Sequence, residues 1–169
     1  LVKENLINKK NFFILFITSI LIFGNWTAWI YAVATNRIID ASYGYFIFPI
    51  LSVLFGYLFL NEKLNKKRIF SIFIVICSSI YLSFNLISFP WVGIVVAVLW
   101  STYNLLRKLI NVETDIGLFI ESLFILPIAL IIFYFIVQKG LNDFSLSSPK
   151  NMFLLFLAGP MTVIPLFMF

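Results

Sequence analysis

Six long apolar runs fill the chain, at Phe12–Val33, Tyr43–Leu60, Ile69–Ile87, Trp91–Leu106, Ile116–Val137 and Met152–Phe169, with polar stretches between them. A helix that crosses the hydrocarbon core of a bilayer needs ~20 apolar residues. Each run is that long or nearly so, and the shorter ones have flanking residues to borrow. Lipid offers no partner to backbone N–H and C=O groups, so each run is predicted to be an α-helix. Alternation with a period of two is absent, which argues against a β-barrel. The expected fold is all-α, a polytopic transmembrane helix bundle with six spans in this chain.

The connections between the runs alternate in charge. Lys3, Lys9 and Lys10 precede the first run, Lys63, Lys66, Lys67 and Arg68 follow the second, and Arg107 and Lys108 follow the fourth. The remaining connections hold only Arg37, Lys139 and Lys150. Short loops rich in Lys and Arg stay cytoplasmic. Residues 1–11, 61–68 and 107–115 are therefore predicted to face the cytoplasm, and the first, third and fifth helices to run outward. The net charge of +5 comes mostly from this bias. Because the basic residues are divided among tight loops, no nucleic-acid partner is expected.

A composition of 62% hydrophobic and 11% charged residues excludes an ordinary soluble domain. There is no His, which removes Ser-His-Asp triads, His-based zinc sites and HExxH proteases from this stretch. Neither GxxxxGK[ST] nor GxSxG occurs. No enzyme, catalytic residue, metal or cofactor is expected. Cys77 is the lone cysteine, so no disulfide forms within the chain, and packing inside the third helix is its expected role. The start is not a signal peptide, because Leu1–Asn11 is polar and further apolar runs follow the first. The chain opens on Leu1 and closes inside an apolar run, and is read as an internal part of a longer protein.

Polar groups at membrane depth are costly, so each has a reason to be there. Thr18, Asn25, Trp29 and Asn36 share one face of the first helix. That stripe suits a translocation path; an interhelical hydrogen bond from Asn25 explains it equally well. In the second helix Ser42, Tyr45, Pro49, Ser52 and Gly56 share a face, and Pro49 is expected to kink it. The fourth helix ends in Trp100-Ser101-Thr102-Tyr103-Asn104, which reads as an interfacial belt or as the inner mouth of a path. Glu121 is the one acid within a span. It either pairs with Arg107 or Lys108, or faces a cavity and couples transport to proton flow. Pro127 follows it. Gly159, Pro160, Thr162 and Pro165 predict a bent or interrupted sixth helix. Gly24-Asn25-Trp26-Thr27 and Gly159-Pro160-Met161-Thr162 echo one another in helices of opposite direction.

Ala41-Ser42-Tyr43-Gly44-Tyr45-Phe46-Ile47-Phe48-Pro49-Ile50, followed by Leu58-Phe59-Leu60-Asn61-Glu62-Lys63-Leu64, resembles a helix and its exit in RarD-like permeases. Asn25-Trp26 with Trp29, Leu105-Leu106-Arg107-Lys108, Glu121-Ser122-Leu123 and Ala158-Gly159-Pro160-Met161-Thr162 agree in the same order. These permeases belong to the EamA group of the drug/metabolite transporter superfamily. The resemblance implies ten helices in two inverted five-helix repeats. Residues 1–87 would end the first repeat, as helices three to five, and residues 88–169 would begin the second, as helices six to eight. Phe48 stands where the family usually has Asn. The family is associated with chloramphenicol sensitivity or resistance.

On this reading the chain is part of a multi-pass secondary transporter of a bacterial inner membrane, moving a small organic metabolite or drug by alternating access. Asn25, Trp29, Tyr45, Trp100, Asn104 and Thr162 are the expected substrate contacts, and Glu121 is the coupling candidate. Pro49, Pro127, Gly159, Pro160 and Pro165 are the expected hinges. The partners expected are a small-molecule substrate and the lipid bilayer, with a homodimer left open. The competing reading is a membrane scaffold or assembly subunit that transports nothing.

Overall fold

The structure is a computed structural model that describes residues 9–84, 89–140 and 149–168, with 162–168 as backbone alone. The described residues form helices α1 (Lys9–Ala34), α2 (Ile38–Leu60), α3 (Lys66–Ser83), α4 (Trp91–Lys108), α5 (Thr114–Gln138) and α6 (Pro149–Met168). Each apolar run lies within or overlaps one of them, and most helices reach past the apolar stretch into polar flanks. Residues 85–87, assigned to the third run, lie outside the described residues.

The helix ends follow local chemistry. Asn36 takes a left-handed conformation at φ 58°, and Arg37 N donates to Ala32 O at 2.7 Å while Asn36 N donates to Val33 O at 3.3 Å. This paired bonding is the Schellman stop. Asn36 therefore terminates α1 and does not extend its polar stripe. Asn61 closes α2 in the same left-handed region, at φ 53°, and Glu62 N reaches Gly56 O at 3.1 Å. Asn65 starts α3, its side chain accepting from Arg68 N at 2.8 Å. Asn65→Ala is expected to cost about 1 kcal/mol by losing this cap, read as a lower unfolding midpoint in detergent.

The chain divides into two compact units, residues 1–125 and 126–169. In the first, α4 packs extensively on α2 and also on α1, and α2 carries α3 on another side. The α2–α4 approach is close because two glycines meet. A Cβ on Gly93 would strike the Asp40 carbonyl oxygen, and one on Gly44 would stand 2.5 Å from the Gly93 oxygen. Tyr43 OH donates to Ser79 O at 2.9 Å and pins α3 to α2. Ile14, Leu15, Ile110 and Ile120 form one buried cluster, and Phe124 sets its ring edge-on to Phe12 and Phe16. Cys77, expected inside the third helix, is exposed. No neighbouring helix covers that face of α3 among the described residues.

Charges mark the two ends of this unit. Glu62 binds Arg68 at 3.2 Å and Lys108 at 3.0 Å, so the turn after α2 and the end of α4 meet. At the other end Arg37 lies 3.8 Å from Asp40 and 5.8 Å from the centre of the Trp91 ring. The residues thus gathered are those that the charge bias assigned to opposite faces.

In the second unit the later half of α5 and α6 expose Leu130, Ile131, Phe133, Phe153 and Phe156. Apolar side chains facing outward on a helix are what a lipid solvent allows. By length and composition α1, α2 and α5 are long and apolar enough to cross a membrane. The shorter α3 and α4 span 18 residues each and carry their basic residues in the first and last turn. Helix α4 also holds Ser101, Thr102 and Asn104, and its neighbours α1 and α2 screen its polar face.

Candidate functional site: an aromatic cavity and a buried carboxylate

Between α1, α2 and α4 lies a cavity of about 270 Å³. Helix α1 contributes Asn25, Trp26 and Trp29, α2 contributes Gly44, Tyr45 and Phe48, and α4 contributes Trp100 beside Val96 and Ala97. Four expected contacts, Asn25, Trp29, Tyr45 and Trp100, thus come together. Spacing explains why: Asn25 and Trp29 are one turn apart on α1, as are Tyr45 and Phe48 or Pro49 on α2. The rings of Trp29 and Tyr45 stand 5.7 Å apart at 38°.

Polar groups in this wall are partly occupied. Asn25 is 6% exposed, and its Nδ2 donates to Val96 O at 3.1 Å. Asn25 thus makes the interhelical bond and also borders the cavity. The Trp29 Nε1 group is buried without a hydrogen-bond partner. Pro49 has no N–H, so the Tyr45 carbonyl beside the cavity lacks its helical donor.

Behind Trp100 the wall continues into a second set of groups. Trp100 stacks on Tyr103 at 5.5 Å, and Tyr103 OH donates to Glu121 Oε2 at 3.2 Å. Glu121 is 1% exposed. Thr18 Oγ1 lies 2.6 Å from Glu121 Oε1 and 3.0 Å from Leu15 O. A hydroxyl has one hydrogen and serves one of these at a time. It donates to the carboxylate when Glu121 is ionised. It accepts from a protonated Glu121 while donating to Leu15 O. The pocket thus satisfies either protonation state. Arg107 NH1 stands 3.9 Å from Glu121 Oε1, and Arg107 NH2 donates to Glu113 O at 3.4 Å. Gly117 leaves the room in which the guanidinium sits. Of the two cations that competed for Glu121, Arg107 takes it, and Lys108 binds Glu62 instead.

Other expected site residues fall elsewhere. Asn104 is absent from the aromatic cavity. It lies one turn beyond Trp100, where its Nδ2 donates to Trp100 O at 3.0 Å and the residue borders a smaller space. The Thr162 and Pro165 side chains lie outside the described residues. Gly159 and Pro160 sit within α6, which is helical from Pro149 to Met168, so of the expected bend or interruption there is no break in the helix. A single proline removes one backbone bond, and the turns on either side carry the helix past it. Pro49 and Pro127 likewise stand inside continuous helices.

Sequence reasoning missed Trp26 and Phe48 as wall residues and Glu62 as a link. Phe48, which the resemblance marks as a departure from the family pattern, places its ring in the cavity wall. Glu62 had a readable signal, an acid set among Lys63, Lys66, Lys67 and Arg68.

Known proteins bear on this arrangement. The profile described as the EamA-like transporter family matches residues 1–84. An uncharacterized transporter of Vibrio cholerae is 38% identical over 95% of this chain and 53% of its own length. Protein RarD of Salmonella typhi is 32% identical over 99% of this chain and 57% of its own. The uncharacterized transporter YojE of Bacillus subtilis is 39% identical over 95% of this chain and 54% of its own. The chain spans little more than half the length of these relatives. No solved structure matches it. With similarity of this order along nearly all of its residues, the chain belongs to the EamA-like transporter family and is RarD-like within it.

Proposed function

We propose that the protein is a secondary transporter that moves a small organic solute across a bacterial inner membrane by alternating access. The observation that carries this reading is the aromatic cavity among three helices of a membrane protein. Flat apolar walls with a few placed polar groups suit an organic solute. The ring faces of Trp29, Tyr45 and Trp100 would hold it, with Asn25 orienting it. The end of the family match at residue 84, before α4 begins, supports a boundary between repeats near residue 87. Residues 61–68 and 107–115 face the cytoplasm on this reading, because Glu62 joins two loops rich in basic residues.

Solute uptake into proteoliposomes holding the full-length protein tests the proposal, with chloramphenicol among the compounds screened. Trp100→Ala is expected to lower transport roughly tenfold or more, as loss of a central aromatic contact does. A protein that moves none of the panel, and whose Trp emission no compound changes, is the scaffold of the competing reading. The Asn25–Val96 bond is the feature that favours that alternative. Proton coupling through Glu121 has its own test. A transport rate in Glu121→Gln that follows pH as the parent does removes Glu121 from coupling.

A further inference from the structure

The seam between α2 and α4 continues past the aromatic cavity toward the end that carries Glu62. A smaller space of about 30 Å³ lies there, bordered by Ser52, Gly56 and Leu60 of α2 and by Ser101, Asn104, Leu105 and Lys108 of α4. A space of this size takes one water if polar groups surround it. Ser52 Oγ is buried and has no hydrogen-bond partner. Ser101 Oγ donates to Phe48 O at 3.4 Å, and Asn104 Nδ2 donates to Trp100 O at 3.0 Å. Both acceptors belong to residues of the larger cavity's wall, so these two bonds mark the boundary between the two spaces. Each leaves a side-chain oxygen able to accept from a water.

The far side is closed by charge. A Cβ on Gly56 would stand 3.1 Å from Glu62 Oε2, so the carboxylate lies directly over that glycine. Glu62 Oε1 accepts from Lys108 Nζ at 3.0 Å, and Oε2 accepts from Arg68 at 3.2 Å. Gly56 and Lys108 both border the small space. Glu62 therefore spans its outer rim.

We infer that the small space is a hydrated inner segment of the solute path and that the Glu62–Lys108 pair is its cytoplasmic closure. The inference rests on the transporter reading above. The side chains of Glu62 and Lys108 are 30% and 56% exposed. Exposed ion pairs hold weakly, which suits a closure that must open in every cycle. The hydrogen bond and charge of Lys108, aided by Arg68, hold the Glu62 carboxyl below the usual carboxylate range. The closure thus stands at neutral pH and is lost as acid protonates Glu62.

Thiol labelling tests this in the full-length protein in inside-out vesicles, with Ser52→Cys in a Cys77→Ser background. The probe is a membrane-impermeant cationic methanethiosulfonate. Labelling is expected to be slow in this parent and roughly fivefold faster with Glu62→Gln or Lys108→Gln added, the upper value for loss of an exposed pair. Lys108→Arg retains the slow rate, and so does Lys63→Gln, which changes a neighbouring charge outside the pair. Equal rates in all variants, or labelling from the outer face alone, overturn the inference while leaving transport intact. Absence of transport in the unsubstituted protein sinks the earlier reading and this one with it.

Discussion

Gly93→Ala is expected to destabilise the protein by about 3 kcal/mol, the upper end of the usual cost of overpacking. The obstacle to a new Cβ is the Asp40 carbonyl and, beyond it, the Gly44 nitrogen. Both are main-chain atoms, and no change of rotamer moves them aside. Helix α2 must back away from α4 along the most extensive packing in the unit. Gly44→Ala meets the Gly93 backbone and is expected to behave alike. Gly24→Ala is the control. Its nearest neighbour is a Leu99 methyl at 3.5 Å, an ordinary contact, so its effect stays within about 0.5 kcal/mol. Unfolding of detergent-solubilised protein, followed by loss of helicity, separates the three. Equal midpoints for Gly93→Ala and Gly24→Ala mean that the helices do not meet at these glycines. Because Gly44 also lines the aromatic cavity, the proposed transport should be lost in Gly44→Ala before all helicity is.

Arg107→Met is expected to cost about 3 kcal/mol, and Glu121→Gln added to it should recover part of that loss. The reason is the cost of an unpaired charge. Glu121 is buried, and Arg107 is the cation beside it, its side chain 12% exposed. Removing one member of a buried pair costs ~3–5 kcal/mol, because the partner is left charged and uncompensated. With Glu121 ionised the lower value applies, since Thr18 and Tyr103 still donate to the carboxylate. Neutralising Glu121 removes the stranded charge, so the double variant should unfold later than Arg107→Met alone. A double-mutant cycle on unfolding midpoints reads this directly. Additive effects of the two substitutions would show that the charges do not interact at 3.9 Å, and Arg107 would then be held by Glu113 alone.

The helices were legible because lipid leaves the backbone one solution, so an apolar run of sufficient length states its own conformation. Their ends were less so. Asn36 reads as the fourth member of a polar stripe, yet its left-handed backbone is what stops α1. Asn25, Trp29, Tyr45 and Trp100 were legible as a group, because helical spacing puts each on the polar face of its own helix. Asn104 shares that face of α4 with Trp100, and spacing alone does not say that the cavity ends between them. The choice of Arg107 over Lys108 as the partner of Glu121 was equally closed to spacing. It depends on Gly117 leaving room for a guanidinium on the facing helix.

Sequence by itself determined the class of solvent and the number of apolar rods, and its charge pattern named the basic turn after α2 and the basic end of α4 that Glu62 joins. These follow from composition and from charge, which act on each segment separately. Tertiary structure decided which rods touch, where they part to leave a cavity, and which cation meets which acid. Those outcomes depend on side chains far apart in the chain, such as Gly44 with Gly93, Thr18 with Glu121 and Glu62 with Lys108. Packing two helices together is a property of the pair, and no single segment encodes it alone.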